Sequence, residues 1–197
     1  MQLLGDNMGK KKKFVYIAVL AIAAIVAYFI IAGQNNTHAS SFMPPIGAKA
    51  PNYEFVYSSN GTVANVSSLR GTPVLLWFVA TWCSGCAVGN EMLNGNMSYF
   101  KSHGIKVIEV ELYNDLGYSG APIASFVSDY APAAEKYSNF ESAVSSYGLT
   151  LAYDKDGYLD VYYLIGPNGD IVYENDGSLA ATMPQLKDKI NSLPNIL

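Results

Sequence analysis

The run "PVLLWFVA", residues 73–80, constrains the chain most. It carries no charge, opens at Pro73 just after Gly71, and gives way to polar Thr81. A short continuous apolar run closed by turn-forming residues is predicted to be a strand buried on both faces, at the centre of a sheet. It leads directly into "TWCSGC", which holds Cys83 and Cys86, the two cysteines of the chain. A helix is predicted from there, because Cys86, Leu93, Met97 and Phe100 keep a helical spacing. Gly85, Gly89 and Gly95 weaken it by about 1 kcal/mol each relative to alanine.

The remaining pattern is that of a mixed α/β domain. "YEFVY" and "TVAN" flank "SSNG" and predict a hairpin. "IKVIEVEL", 105–112, predicts a second strand, started by Gly104. Ile123, Phe126, Val127 and Tyr130 share one helix face, and residues 137–147 also read as helical. "LTLAY" and "LDVYYLIG" are β-prone, and "GPNG" turns the latter into "DIVYE". A last helix is expected over Met183 to Leu193, with Thr182 and Gln185 at capping-box spacing and Pro184 in its first turn. "DKDG", 154–157, begins like a calcium loop but lacks the further ligand spacing, so it reads as a turn.

Ahead of this domain, Lys10 to Lys13 precede residues 14–32, nineteen positions without a charge. At 1.5 Å per residue such a run approaches the roughly 30 Å of a bilayer core. The expected organisation is a basic cytoplasmic tail over 1–13, a transmembrane anchor over 14–32, a polar linker over 33–50 and a domain over 51–197. A cleaved signal peptide, with "THAS" at 37–40 as its cleavage site, is the competing reading, but its apolar region is normally about 7 to 15 residues. The lysine cluster orients the span with the N-terminus inside and the domain extracytoplasmic. Residues 33–197 hold eight Lys and Arg against fifteen Asp and Glu, a formal charge of −7, which disfavours nucleic acid as a partner. N-x-S/T triplets at Asn35, Asn60, Asn65 and Asn96 agree with that topology but support it only weakly.

Position separates the chemistries open to the cysteine pair. A cysteine in the first turn of a helix lies near free backbone N–H groups and the positive end of the dipole, which favours its thiolate. Cys83 is therefore the better nucleophile. Cys86, one turn deeper, is placed to resolve a mixed disulfide. Structural zinc needs four ligands, yet there is no second cysteine pair, and the histidines are His38 in the linker and His103 far along the helix. A purely stabilising disulfide would close a very short loop, where the entropic gain is least.

Residues 47–86, "GAKAPNYEFVYSSNGTVANVSSLRGTPVLLWFVATWCSGC", resemble the thioredoxin superfamily, in particular its membrane-anchored TlpA/ResA-like thiol:disulfide oxidoreductases of the AhpC/TSA redoxin group. The likeness lies in the "G-x-x-A-P" entry, the hairpin, the "S-L-R-G" turn and "A-T-W-C-x-x-C", and it continues at "YYLIGPNGDIVYENDG". It implies a thioredoxin-like fold: a central mixed sheet flanked by helices, with an added N-terminal hairpin. It also implies that Cys83 attacks, Cys86 resolves and Trp82 shields the pair. Protein thiol and disulfide substrates, an external electron donor and no bound cofactor follow from the same resemblance.

The departures are as informative. The cis-proline that most of the superfamily sets opposite the dithiol is absent, and the register back from the hairpin places Asp160 there, on an ordinary trans peptide. Asp160 can be read as a solvated turn residue, as a proton acceptor for Cys86, or as a metal ligand beside Cys83 and Cys86. The acid that thioredoxins carry six residues before the first cysteine is Trp77 here, and the Glu of ResA-type proteins three after the second is Gly89. Glu91, Glu109, Glu111 and Asp160 are the candidates to replace it, with Glu109 and Glu111 expected to face solvent at alternating strand positions. A copper-binding assembly factor resembling the Sco group is the main alternative, although no His stands near Tyr158 to Asp160. A binding module whose disulfide no longer turns over is a further one. The peroxidatic spacing P-x-x-x-[ST]-x-x-C fits neither cysteine.

Overall fold

The computed structural model describes residues 43–193. The tail, the apolar span at 14–32 and most of the linker lie outside the described residues. Among those described, no helix is long and apolar enough to cross a membrane.

Seven strands form one sheet in the order β2-β1-β5-β4-β3-β6-β7. The hairpin β1 (Glu54–Tyr57) and β2 (Val63–Asn65) is as expected and pairs antiparallel with β5 (Phe140–Ser145). β3 (Val74–Val79) is buried at every position, between parallel β4 (Lys106–Glu111) and antiparallel β6 (Val161–Ile165). β7 (Ile171–Asn175) closes the other edge through the hairpin that "GPNG" predicts.

Strand parity divides the core. Leu75, Trp77 and Val79 on β3 pack with the helices α1 (Ser84–Asn94), α2 (Met97–Ser102), α3 (Ile123–Tyr130) and α5 (Leu179–Asn191). Val74, Leu76 and Phe78 face the other way, onto Phe55, Leu149 and Tyr153, the last two from α4 (Tyr147–Tyr153). This is the expected thioredoxin-like architecture, with helices on both faces of a mixed sheet.

Four elements differ from expectation. The helix after Cys83 is broken into α1 and α2 at Gly95, which serves as the C-cap of α1. Residues 137–147, expected to be helical, contain β5, because Phe140, Ala143 and Ser145 are buried in a sheet that completes its hydrogen bonding there. "LTLAY", expected to be β-prone, lies in α4, which Ser146 caps by accepting the Leu149 N–H. For β5 tertiary pairing overrides a weak local preference, and for α4 the Ser146 cap starts a helix instead. The last helix also begins four residues early, at Leu179 after Ser178, so the Thr182/Gln185 capping box is not its start.

Candidate active site

The site forms where β3 ends and α1 begins. Cys83 is the N-cap of α1, with φ −82° and ψ 115°, and its Sγ accepts the backbone N–H of Cys86 at 3.1 Å. Both thiols are free; Cys83 is 8% exposed and Cys86 fully buried. The hydrogen bond from the Cys86 side chain lowers the Cys83 pKa to about 7, against the opposing effect of burial. The same bond, together with burial, raises Cys86. One sulfur is thus prepared as a thiolate and the other keeps its proton, the polarity that attack followed by resolution requires.

The cysteine loop is held from the side by a segment that sequence reasoning did not single out. Asp115 is buried; its carboxylate accepts the Thr81 N–H at 2.9 Å and the Thr81 hydroxyl at 2.6 Å. Its carbonyl accepts the Trp82 indole N–H at 2.8 Å. To present these groups, Asn114, Asp115 and Leu116 adopt left-handed φ values of 51°, 47° and 58°. Asn and Asp tolerate that region, but Leu does so at a cost. Trp82 stays 38% exposed, its ring 4.7 Å from that of Tyr118, so it stands beside the pair as a partly open wall.

Asp160 immediately precedes β6 and is 3% exposed, which removes its reading as a solvated turn residue. No cis peptide occurs among the described residues, and Asp160 takes φ 69°. Its Oδ1 accepts the Trp77 indole N–H at 2.6 Å and the Leu179 N–H at 3.1 Å, while Oδ2 has no partner. Burial raises its pKa, opposed by hydrogen bonds from Leu179, Trp77 and the Ser178 side chain, and its charge in turn raises both cysteines. Trp77 and Gly89 belong to the same arrangement. A Cβ at Gly89 would stand 2.7 Å from Trp77 Cζ2 and 3.6 Å from Asp160 Oδ1. The indole and the carboxyl of Asp160 therefore border the space that a side chain at position 89 would enter.

The other acids separate clearly. Glu91 is exposed. Glu109, expected to face solvent, is fully buried and accepts Asn90 Nδ2 at 2.6 Å, because β4 lies inside the sheet with both faces covered. Burial pushes its pKa up to about 8. Glu111 is half-buried rather than solvent-facing; burial and the nearby Asp115 raise it to about 7. The signal that could have corrected the expectation is topological, since a parallel interior strand has no solvent face. Among the described residues no group of three or more His, Cys, Asp or Glu is placed so as to hold a metal ion.

Comparison with known proteins agrees with this geometry. The AhpC/TSA family model matches residues 46–174. Thiol-disulfide oxidoreductase ResA of Bacillus subtilis is 26% identical over 175 residues, which cover 88% of this chain and 91% of the relative. Among solved structures, a Chlorobium tepidum protein given the provisional name Thiol:disulfide interchange protein DsbE superposes with TM-score 0.60 at 24% identity, covering 77% of this chain and 99% of that one. BsSco, a member of the Sco family of cytochrome c oxidase assembly proteins, gives 0.57 at 16% identity, covering 78% and 97%. These structural likenesses speak to fold.

Proposed function

Since the chain belongs to the AhpC/TSA family, we propose that it is a thiol:disulfide oxidoreductase whose Cys83–Cys86 dithiol exchanges with disulfides of protein substrates. The observation that carries this reading is the unequal pair at the start of α1: a Cys83 sulfur that accepts the Cys86 N–H, and a buried Cys86 that keeps its proton.

In the reductive direction the Cys83 thiolate attacks one sulfur of the substrate disulfide. The substrate S–S bond breaks, a mixed disulfide forms, and the first substrate sulfur leaves with a proton from solvent. Cys86 Sγ then attacks Cys83 Sγ, the second substrate thiolate departs, and the Cys86 proton passes to the unpartnered Oδ2 of Asp160. Two electrons move from the dithiol to the substrate, and an external donor returns them. Trp82, fixed to Asp115, shields the pair on one side.

The proposed setting is extracytoplasmic. Residues 14–32 serve as a single-pass anchor, the N-terminus is cytoplasmic and the domain works on the outer face, as the lysine cluster and the uncharged run support. The function is tested by trapping. Cys86→Ser is expected to accumulate a mixed disulfide with substrate, and Cys83→Ser to abolish turnover. Absence of both results would refute the reading.

A further inference from the structure

We propose that the cleft between the end of α4 and the turn beside Trp82 is a substrate subsite, which takes a cationic lysine or arginine side chain of the protein whose disulfide is exchanged. The inference rests on the chain being a thiol:disulfide oxidoreductase.

The cleft has a volume of about 490 Å³, within the roughly 300 to 1,000 Å³ of ordinary ligand sites. One wall is the turn Tyr113–Gly117 that follows β4; the other is the end of α4 with residues 154–157. The Tyr113 N–H donates to the Thr150 hydroxyl at 2.9 Å and ties the two walls together. Leu116 and Leu151 supply apolar surface. At the mouth the exposed rings of Tyr113 and Tyr147 stand edge to face, 5.5 Å apart.

Asp154 is the buried polar group of this wall. It is 3% exposed, and neither carboxylate oxygen has a hydrogen-bond partner. Burial raises its pKa to about 7; the nearby Tyr158 N–H opposes this without satisfying either oxygen, and the charge of Asp156 adds to it. Lys155 stands 4.0 Å from Asp156, but that pair lies at the more exposed rim. A buried acceptor left unpaired costs free energy that a suitable donor recovers. The donor must be positively charged to hold the carboxylate ionised beside Asp156, and it must bring N–H groups to the open oxygens. It also passes tyrosine rings, whose faces attract cations. Lysine and arginine side chains meet all three conditions.

Position makes the cleft part of the exchange site. Asn114 and Leu116, both in its wall, flank Asp115, whose carbonyl holds the Trp82 indole and whose carboxylate holds Thr81. The left-handed turn therefore serves the cysteine loop and the cleft at once. A polypeptide that presents its disulfide to Cys83 and continues past Trp82 meets this cleft next. The surplus of fifteen Asp and Glu over eight Lys and Arg in residues 33–197 favours a basic partner in the same sense.

The test uses the full-length chain and disulfide-bonded peptides with one arginine, placed two to eight residues from the cysteine, each matched by a peptide with neutral citrulline instead. At the spacing that fits, the arginine peptide is expected to be reduced with a kcat/KM about tenfold to a hundredfold above its match, the range of a charge-assisted hydrogen bond. Asp154→Asn is expected to abolish that ratio, and so is Leu151→Lys, an exposed position that brings a competing ammonium to the cleft. The ratio is taken within each variant, so it does not depend on the yield of folded protein. Serine versions of the peptides, which cannot exchange, should show the same preference in calorimetric binding. Equal rates and affinities for every matched pair, or a preference that survives both substitutions, would overturn the subsite. An arginine preference in binding with no reduction of any peptide would instead overturn the oxidoreductase reading.

Discussion

Replacing Glu109 by Gln is expected to stabilise the folded domain at neutral pH. The carboxyl is fully buried, and burial raises its pKa from 4.5 to about 8. In the unfolded chain it ionises near its ordinary value; in the folded chain it must stay protonated. Stability is therefore unpenalised below about pH 4.5 and falls as the pH rises toward 8, at about 1.4 kcal/mol per pH unit. At pH 7 the penalty is about 3 kcal/mol, a sizeable part of the roughly 5 to 15 kcal/mol that holds a domain together. Glutamine keeps an acceptor for Asn90 Nδ2, and its own amide has the buried, unpartnered Asn90 Oδ1 within the same neighbourhood as a potential acceptor. Denaturant unfolding of the compact unit Phe42–Leu197 under reducing conditions, at pH 5, 6, 7 and 8, measures the effect. The diagnostic is the widening gap between variant and wild type with pH, which a constant packing offset cannot mimic. Curves that stay parallel would show that Glu109 does not carry a raised pKa and would refute the reasoning.

Three further outcomes are expected. Gly89→Ala gains helix propensity but places a Cβ 2.7 Å from Trp77 Cζ2, so it should lower stability by about 1 to 3 kcal/mol; a stabilised variant would contradict the packing. Iodoacetamide reaction of Cys83 in the Cys86→Ala variant should titrate above the midpoint of the wild-type pair, near 7, because the hydrogen bond that lowers Cys83 is gone; an unchanged midpoint would assign the shift to the helix start alone. Thr81→Val removes the hydroxyl that donates to Asp115 Oδ2 and should cost about 1 to 3 kcal/mol in thermal or denaturant unfolding, while a neutral result would show that solvent satisfies that oxygen.

Much of this arrangement is legible in the sequence, for physical reasons that vary by element. The apolar run at 73–80 can be buried only at the centre of a sheet, and the cysteine spacing then fixes a helix start at Cys83, so β3 and α1 follow from local pattern. The middle of the chain is different. Phe140 to Ser145 has one aromatic and two serines, and it becomes a strand because β1 and β4 offer partners on both sides. The role of Asp115 is hidden for a related reason. It depends on a left-handed turn of Asn114, Asp115 and Leu116 that no periodicity announces.

The acid beneath the dithiol shows how the two levels join. Positions 77 and 89, read separately, look like losses of function, with Trp where thioredoxins place an acid and Gly where ResA-type proteins do. In the structure the two positions belong to one packed arrangement. A tryptophan at 77 occupies the space above 89 and excludes a side chain there, and its indole N–H reaches the carboxyl that stands before β6. An acid at 89 would meet both the ring and Asp160. With Trp77 in place, the carboxyl that acts on the thiols comes from the β6 side, at Asp160, while Glu109 on β4 is bonded to Asn90 of α1.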